Sequence, residues 1–126
     1  MLKYPEEFKY SKTHEWVKEE DGVYVIGISD YAQDSLGDIV FVNLPEEGDS
    51  VTKGESFADV ESVKAVSDVY APVSGTIVAV NEELLDDPAK VNEDAFAAWM
   101  IKVADVTECD DLLDAADYRK LCEEEG

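Results

Sequence analysis

Few side chains in this sequence are equipped for chemistry. His14 is the only histidine, and Cys109 and Cys122 are the only cysteines, among 126 residues. The cysteines form neither a C-x-x-C pair nor a ligand cluster, and one histidine leaves a His/Cys zinc site short of ligands. A Ser-His-Asp triad would have to use His14, yet no serine sits in a G-x-S-x-G elbow. There is no D-x-D-x-D-G calcium loop and no glycine-rich phosphate loop. The acidic C-terminal tail disfavours thiolate, so both cysteines read as ordinary reduced thiols. One lysine stands apart. Glu61-Ser62-Val63-Lys64-Ala65-Val66-Ser67-Asp68 is flanked by two β-rich runs, which places Val63-Lys64 at a tight hairpin tip. An amine held there is exposed on a rigid base and can enter another enzyme's active site to be acylated. Small Ser62 and Ala65 leave room for that enzyme. Lysine is also a common edge and turn residue, so spacing alone leaves both readings open. No catalytic machinery is offered by the side chains themselves; a part in chemistry requires something attached.

The elements that must hold this tip follow from periodicity and punctuation. Residues 14 to 28 read as a hairpin turning at Asp21-Gly22. Ser29 is a suitable N-cap for a short helix that Gly37 ends. Strands are expected from Asp38 to Leu44, Ser56 to Ser62, Ala65 to Tyr70, Gly75 to Asn81 and Trp99 to Val103. The stretch 82 to 94 is polar, contains Pro88, and reads as loop with a helical turn near Glu83-Leu84-Leu85. From Thr107 onward the pattern is helical, with Leu112, Leu113, Ala116 and Leu121 spaced for one buried stripe. Trp16 and Trp99 read as core aromatics, and His14 as a structural, hydrogen-bonding residue. Gly37-Asp38-Ile39-Val40-Phe41-Val42-Asn43 matches Gly75-Thr76-Ile77-Val78-Ala79-Val80-Asn81 at an offset of 38 (75 − 37). Each copy is followed by a loop and another strand. The expectation is a mainly β fold: two sheets related by a pseudo-twofold, forming a small sandwich or flattened barrel.

Length and charge bound the function classes. The chain supports one domain, 1–126, with its core at about 14–104 and a C-terminal helical segment at about 107–123. Ten Lys+Arg against 31 Asp+Glu give a net charge of −21. That balance argues against binding nucleic acid through phosphates and against docking on anionic membranes. It favours partners with basic docking surfaces. No run approaches the roughly 20 apolar residues of a membrane span. A cytoplasmic, bacterial-type location is expected, a mature mitochondrial form being the other reading.

At this point several motifs fall into one order. E-S-V-K-A-V-S-D-V-Y-A-P-V-S-G (61 to 75) resembles the lipoyl-attachment motif of the glycine cleavage system H-protein family. H-E-W (14 to 16), G-I-S-D-Y-A-Q-D-S-L-G-D-I-V-F-V (27 to 42), L-P-E-E-G-D (44 to 49) and L-L-D-A-x-x-Y (112 to 118) resemble it too. The resemblance spans about Tyr10 to Glu123. It implies a lipoyl/biotinyl-domain-like sandwich of two antiparallel sheets with short helices, and lipoic acid in amide linkage on Lys64. Biotin domains place methionines around the lysine, whereas Val63 and Ala65 flank it here. The implied role is a carrier, not an enzyme. Its lipoyl disulfide accepts an aminomethyl group from a pyridoxal-phosphate glycine decarboxylase (P protein). An aminomethyltransferase (T protein) takes the methylene group, and a dihydrolipoyl dehydrogenase (L protein) reoxidises the dithiol. A lipoate-attaching enzyme is a further implied partner, with Glu61 a candidate for its recognition or else an ordinary strand residue. The chain is expected to be a monomer. Thr13, Glu15 and Asp68 match positions that line the cleft for the loaded arm; they could equally be exposed polar residues in an acid-rich chain. One departure stands out. Where the family has a P-Y-x-x-G-W type segment, this chain has Ala95-Phe96-Ala97-Ala98-Trp99, so the loop should take a different path, helical in character. That departure motivates the alternative of a lipoyl relay, storage or regulatory H-like protein.

Overall fold

The structure is a computed structural model that describes residues 2–125. In chain order the elements are β1 Lys9–Tyr10, β2 Glu15–Glu20, β3 Val23–Ile28, α1 Asp30–Leu36, β4 Ile39–Asn43, β5 Ser50–Val51 and β6 Ser56–Ser62. They continue with β7 Val66–Tyr70, β8 Val73–Val80, α2 Glu83–Asp86, α3 Lys90–Glu93, β9 Ile101–Cys109 and α4 Ala115–Glu125. The strands form two antiparallel sheets, a six-stranded one ordered β1-β2-β3-β9-β8-β5 and a three-stranded one ordered β4-β6-β7. Between the sheets lies an aliphatic core in which Ile26, Val60, Val73, Ile77, Ile101 and Val103 are completely covered. These residues are β-branched, which suits the pleated surfaces they join.

The repeat seen in the sequence is a repeat of structure, with one copy in each sheet. β4 pairs antiparallel with β6, and β8 pairs antiparallel with β9. Ile39 faces Ser62 and Val42 faces Val60; Ile77 faces Val103 and Val80 faces Ile101. The first strands are displaced by 38 (77 − 39, 80 − 42) and their partners by 41 (103 − 62, 101 − 60). The three additional residues lie in the second copy's loop, which holds α2 and α3.

The C-terminal region differs from its sequence-based expectation. Helix does not begin at Thr107, because β9 continues through Cys109, pairing Glu108 with Ser74 and Cys109 with Val73. A ladder along β8 offers those backbone groups long-range partners that local helical preference cannot outweigh. The helix starts only after Asp114, whose carboxylate accepts from the Asp117 N–H at 2.8 Å. The buried stripe of α4 is Ala115, Tyr118 and Cys122, while Leu112, Leu113 and Leu121 are half-buried and Ala116 is exposed.

Nor does the core stop at the boundaries 14 and 104. A second cluster joins Phe8, Tyr10, Trp16 and Val25 to the buried face of α4. Tyr10 stacks on Tyr118 with centroids 4.5 Å apart, and Phe8 stacks on Phe96 at 5.1 Å. Trp16 is buried as expected, and its indole N–H donates to the Ala95 carbonyl at 2.9 Å. Trp99 is only half-buried, with the Lys102 ammonium 4.8 Å from its ring. The altered 95–98 loop forms one helical turn. The Asp94 carboxylate accepts from the Phe96 and Ala97 N–H groups, and its carbonyl accepts from the Ala98 N–H at 3.0 Å.

Candidate carrier-lysine site

Lys64 projects from the connection between β6 and β7, at the far end of the three-stranded sheet. Ser62 makes the turn rigid. Its N–H donates to the Ala65 carbonyl at 2.8 Å, and its Oγ accepts from the Lys64 and Ala65 N–H groups, each at 3.1 Å. The Val63 N–H donates to the Asp38 carbonyl at 3.1 Å, which fastens the tip to the entry of β4. Val63, Lys64 and Ala65 are all exposed.

The base of this turn is held by a residue whose role sequence reasoning missed. The Asn92 side chain accepts from the Ile39 N–H at 2.8 Å and donates to the Gly37 carbonyl at 2.9 Å and the Gln33 carboxamide at 2.8 Å. It thereby joins α3, the end of α1 and the start of β4. Gly37 adopts φ +81 and ψ −156, a conformation open essentially only to glycine. A side chain there would also meet the stem of Lys64, whose Cε lies 3.4 Å from the position a Cβ would take. The lysine chain therefore runs across a bare patch of backbone. The only sequence signals were a helix-stopping glycine and an asparagine in a polar loop.

Next to Leu36 and Gly37 opens a groove of about 270 Å³, lined by Thr13, Tyr31, Ala32, Leu36, Ser67 and Glu125 among others. His14 is in its wall at φ 78, with Nδ1 2.8 Å from the Tyr118 hydroxyl and Nε2 3.2 Å from Glu125. Tyr118 in turn lies 2.6 Å from Ser29 Oγ, and Ser29 accepts from the Ala32 N–H as the N-cap of α1. The groove wall and the C-terminal helix thus share one hydrogen-bond network.

The three cleft residues expected from the sequence are placed differently from one another. Thr13 lines the groove. Glu15 lies beneath it, 1 % exposed, with its carboxylate already engaged. Ser11 Oγ and Thr13 Oγ1 donate to one oxygen, and the Tyr70 N–H donates to the other at 3.3 Å. Burial pushes the Glu15 carboxyl up to about 7, against the opposing pull of those hydrogen bonds. Asp68 stands outside the groove. It is opposite Asp59 in the β6–β7 ladder, on the face away from buried Val60, whereas Ser67 is opposite Val60 and lines the groove. Glu61 is half-buried, between Phe41 on β4 and Val66 on β7. Neither cysteine is activated: burial chiefly, and neighbouring acids after it, push both thiols up.

A two-sheet sandwich that presents one lysine on a clamped, exposed hairpin beside a groove, with His14 engaged by Tyr118 and Glu125 and Glu15 by Ser11, Thr13 and Tyr70, is the construction of a carrier domain. Comparison with known proteins narrows the class. The family model for glycine cleavage H-protein matches residues 8–125. The glycine cleavage system H protein of Koribacter versatilis is 60% identical over 99% of this chain and 98% of its own length. That of Carboxydothermus hydrogenoformans is 55% identical over 97% and 96%. The crystal structure of a glycine cleavage system H protein from Mycobacterium marinum superposes with a TM-score of 0.87 at 42% identity, covering 92% of this chain and 96% of that one. The chain belongs to the glycine cleavage H-protein family.

Proposed function

We propose that Lys64 bears lipoic acid in amide linkage and that the whole chain, 1–126, works as one lipoyl-carrying domain of the glycine cleavage system. The observation that carries this reading is the tip itself: an exposed primary amine on a turn clamped by Ser62, within the 61 to 75 motif of the family. The surroundings fit the group. The lysine stem crosses bare backbone at Gly37, and the adjoining groove offers both apolar walls, from Tyr31, Ala32 and Leu36, and hydroxyls, from Thr13 and Ser67. When attached, the lipoyl group supplies a redox-active disulfide that can accept an aminomethyl carbon and later be reoxidised.

Everything else the chain contributes is presentation. The hairpin fixes where the arm is rooted, and the Asn92 network keeps that root in register with α1. Thr13 and Ser67 place hydroxyls where a loaded arm can rest, sheltered from water. Glu15 holds Thr13 and the β7 backbone in position from below. Glycine decarboxylase, aminomethyltransferase and dihydrolipoyl dehydrogenase act on the arm in turn, and this chain performs no catalysis of its own. None of the helices among the described residues is long and apolar enough to cross a membrane.

Intact mass with peptide mapping tests the proposal, using protein made in cells supplied with lipoate and a lipoate-attaching enzyme. One lipoyl adduct confined to Lys64 is expected. Lys64→Arg should carry none and melt at the same temperature as the parent. An adduct elsewhere, or full glycine-cleavage activity of Lys64→Arg, would overturn it.

A further inference from the structure

The outer face of the six-stranded sheet is covered on one half. The helices pack as α1 against α3, α2 against β4 and α4 against β1, and α4 shares the second cluster with Tyr10 and Trp16. Strand parity sets what the other half presents. Val17, Ile26, Val103 and Ile77 point into the core between the sheets, so the residues that alternate with them point out. These are Val23 and Val25 on β3, Lys102 and Ala104 on β9, and Thr76 on β8. The register shift after Ile77 sets Ala79 opposite Lys102 on the same face. Together they offer one cation and no carboxylate, in a chain where 31 residues are acidic.

One row of this face is built around Val25. Lys18 on β2 is opposite it on one side, and Lys102 on β9 is opposite it on the other. The two lysines are therefore two strand spacings apart, about 9.6 Å between Cα atoms. The Lys18 ammonium lies 5.6 Å from the centre of the Phe8 ring, and that of Lys102 4.8 Å from Trp99. Among the described residues neither lysine forms an ion pair. Each is held over an aromatic face with its charge open to an anion. The exposed side of α4 has the complementary pattern. Asp117 and Glu124 are exposed, Leu121 is half-buried, and spacings of four and three put them on one helix face. The two acids are about 10.5 Å apart along the helix axis. Neither forms an ion pair among the described residues.

We propose that two copies of the chain associate about a two-fold axis, the α4 of each lying across β2, β3 and β9 of the other. Asp117 and Glu124 meet Lys18 and Lys102, and Leu121 covers Val25. Lys120, on the same helix face, meets Glu20, the outward carboxylate one row further along β2. Helix and bare face lie on one side of the same sheet, so a single two-fold satisfies both contacts and closes the assembly. The 11 residues of α4 span about 16 Å, so two such helices cover less than a standard interface and the dimer is weak. The net charge of −21 on each copy opposes approach. At physiological ionic strength that repulsion is screened beyond about 8 Å, while the contacting pairs act inside that distance. Both three-stranded sheets stay on the outside, which leaves each Lys64 free for other partners. The dimer takes the place of the monomer expected from the sequence, and it does not depend on the lipoyl reading of Lys64.

The experiment is sedimentation equilibrium of the unmodified full chain at physiological salt, at concentrations up to about 1 mM. The weight-average mass should rise towards that of two chains. Lys18→Glu with Lys102→Glu should raise the dissociation constant about tenfold or more, and so should Asp117→Lys with Glu124→Lys, each variant still melting cooperatively. The sharpest test mixes these two double variants. Each repels its own copy, yet each has the charges the other needs, so the mixture should dimerise as the parent does. Should a charge reversal unfold the chain, Lys18→Gln with Lys102→Gln tests the same contact, with a several-fold weakening expected. A parent that stays monomeric throughout the concentration range overturns the proposal. So does a parent dimer that the lysine and α4 variants leave unchanged, or a mixture of the two that stays monomeric.

Discussion

Ser62 and Val103 occupy the same place in the two halves of the repeat, and the chain does opposite things beyond them. After Ser62 it turns within three residues, exposes Lys64 and returns as β7. After Val103, where its pairing with β3 ends, it passes through Asp105 at φ 52 and continues as β9 along β8 to Cys109. The paired glycines show why. Gly37 gives its missing side chain to the stem of Lys64, with Cε 3.4 Å from the would-be Cβ. Gly75 gives the same space to backbone: a Cβ there would sit 2.6 Å from the Ala104 carbonyl oxygen and 2.7 Å from Val103 Cγ1. In one half the glycine lets β9 come close where the β8–β9 ladder shifts register, and in the other it leaves a slot for a side chain. The repeated unit is thus a scaffold, and the proposed carrier site arises where one copy departs from it.

This contrast can be tested at its strongest point first. Gly75→Ala should destabilise the fold by about 3 kcal/mol in urea titration, because backbone atoms cannot swing aside as a side chain can. Gly37→Ala should cost less, about 1–2 kcal/mol from its backbone conformation, and should slow lipoylation of Lys64, which Gly75→Ala folded at low temperature should not. Equal losses of stability and equal lipoylation rates would erase the distinction between the two halves.

The free edge of β7 offers a second contrast, since β9 is flanked on both sides while β7 borrows Glu15 from the other sheet. The Glu15 carboxyl is pushed up to about 7 in the folded protein from an ordinary 4.5. Between those values the folded state holds more protons than the unfolded one, so stability falls as pH rises from about 4.5 to 7 and is then level. The expected loss is about 3 kcal/mol across that window, and Glu15→Gln should flatten this part of the profile. An unchanged slope in the variant would show that other groups set it.

The smallest effect belongs to the turn itself. Ser62→Ala removes the acceptor for the Lys64 and Ala65 N–H groups and should cost about 1 kcal/mol. Hydrogen exchange should quicken at those two amides and stay as it was in β9. Uniform quickening would mean that the tip is not a separately held unit.

How much of this could be read beforehand differs by element. The hairpin over 14 to 28, the Ser29-capped helix, the 38-residue repeat and the lysine at a tip all rest on local signals: alternation, a capping hydroxyl, turn residues. The strand at 107–109 was hidden because an acid-rich segment resembles a helix until β8 supplies its partners. Asp68 was grouped with Thr13 and Glu15 through the resemblance to the family, but strand parity turns it to the face away from the groove.

By itself the sequence determined that the chain is a two-sheet member of a carrier family, that Lys64 stands at a hairpin tip, and that the surface is strongly acidic. Those properties depend on residue type and near spacing. Only the tertiary structure decided that Asn92 supports the tip, that Glu15 is consumed beneath the groove, and that α4 contributes to its wall. Each of these joins residues far apart in the chain, and burial, strand register and hydrogen-bond supply are set only when the two sheets close on one another.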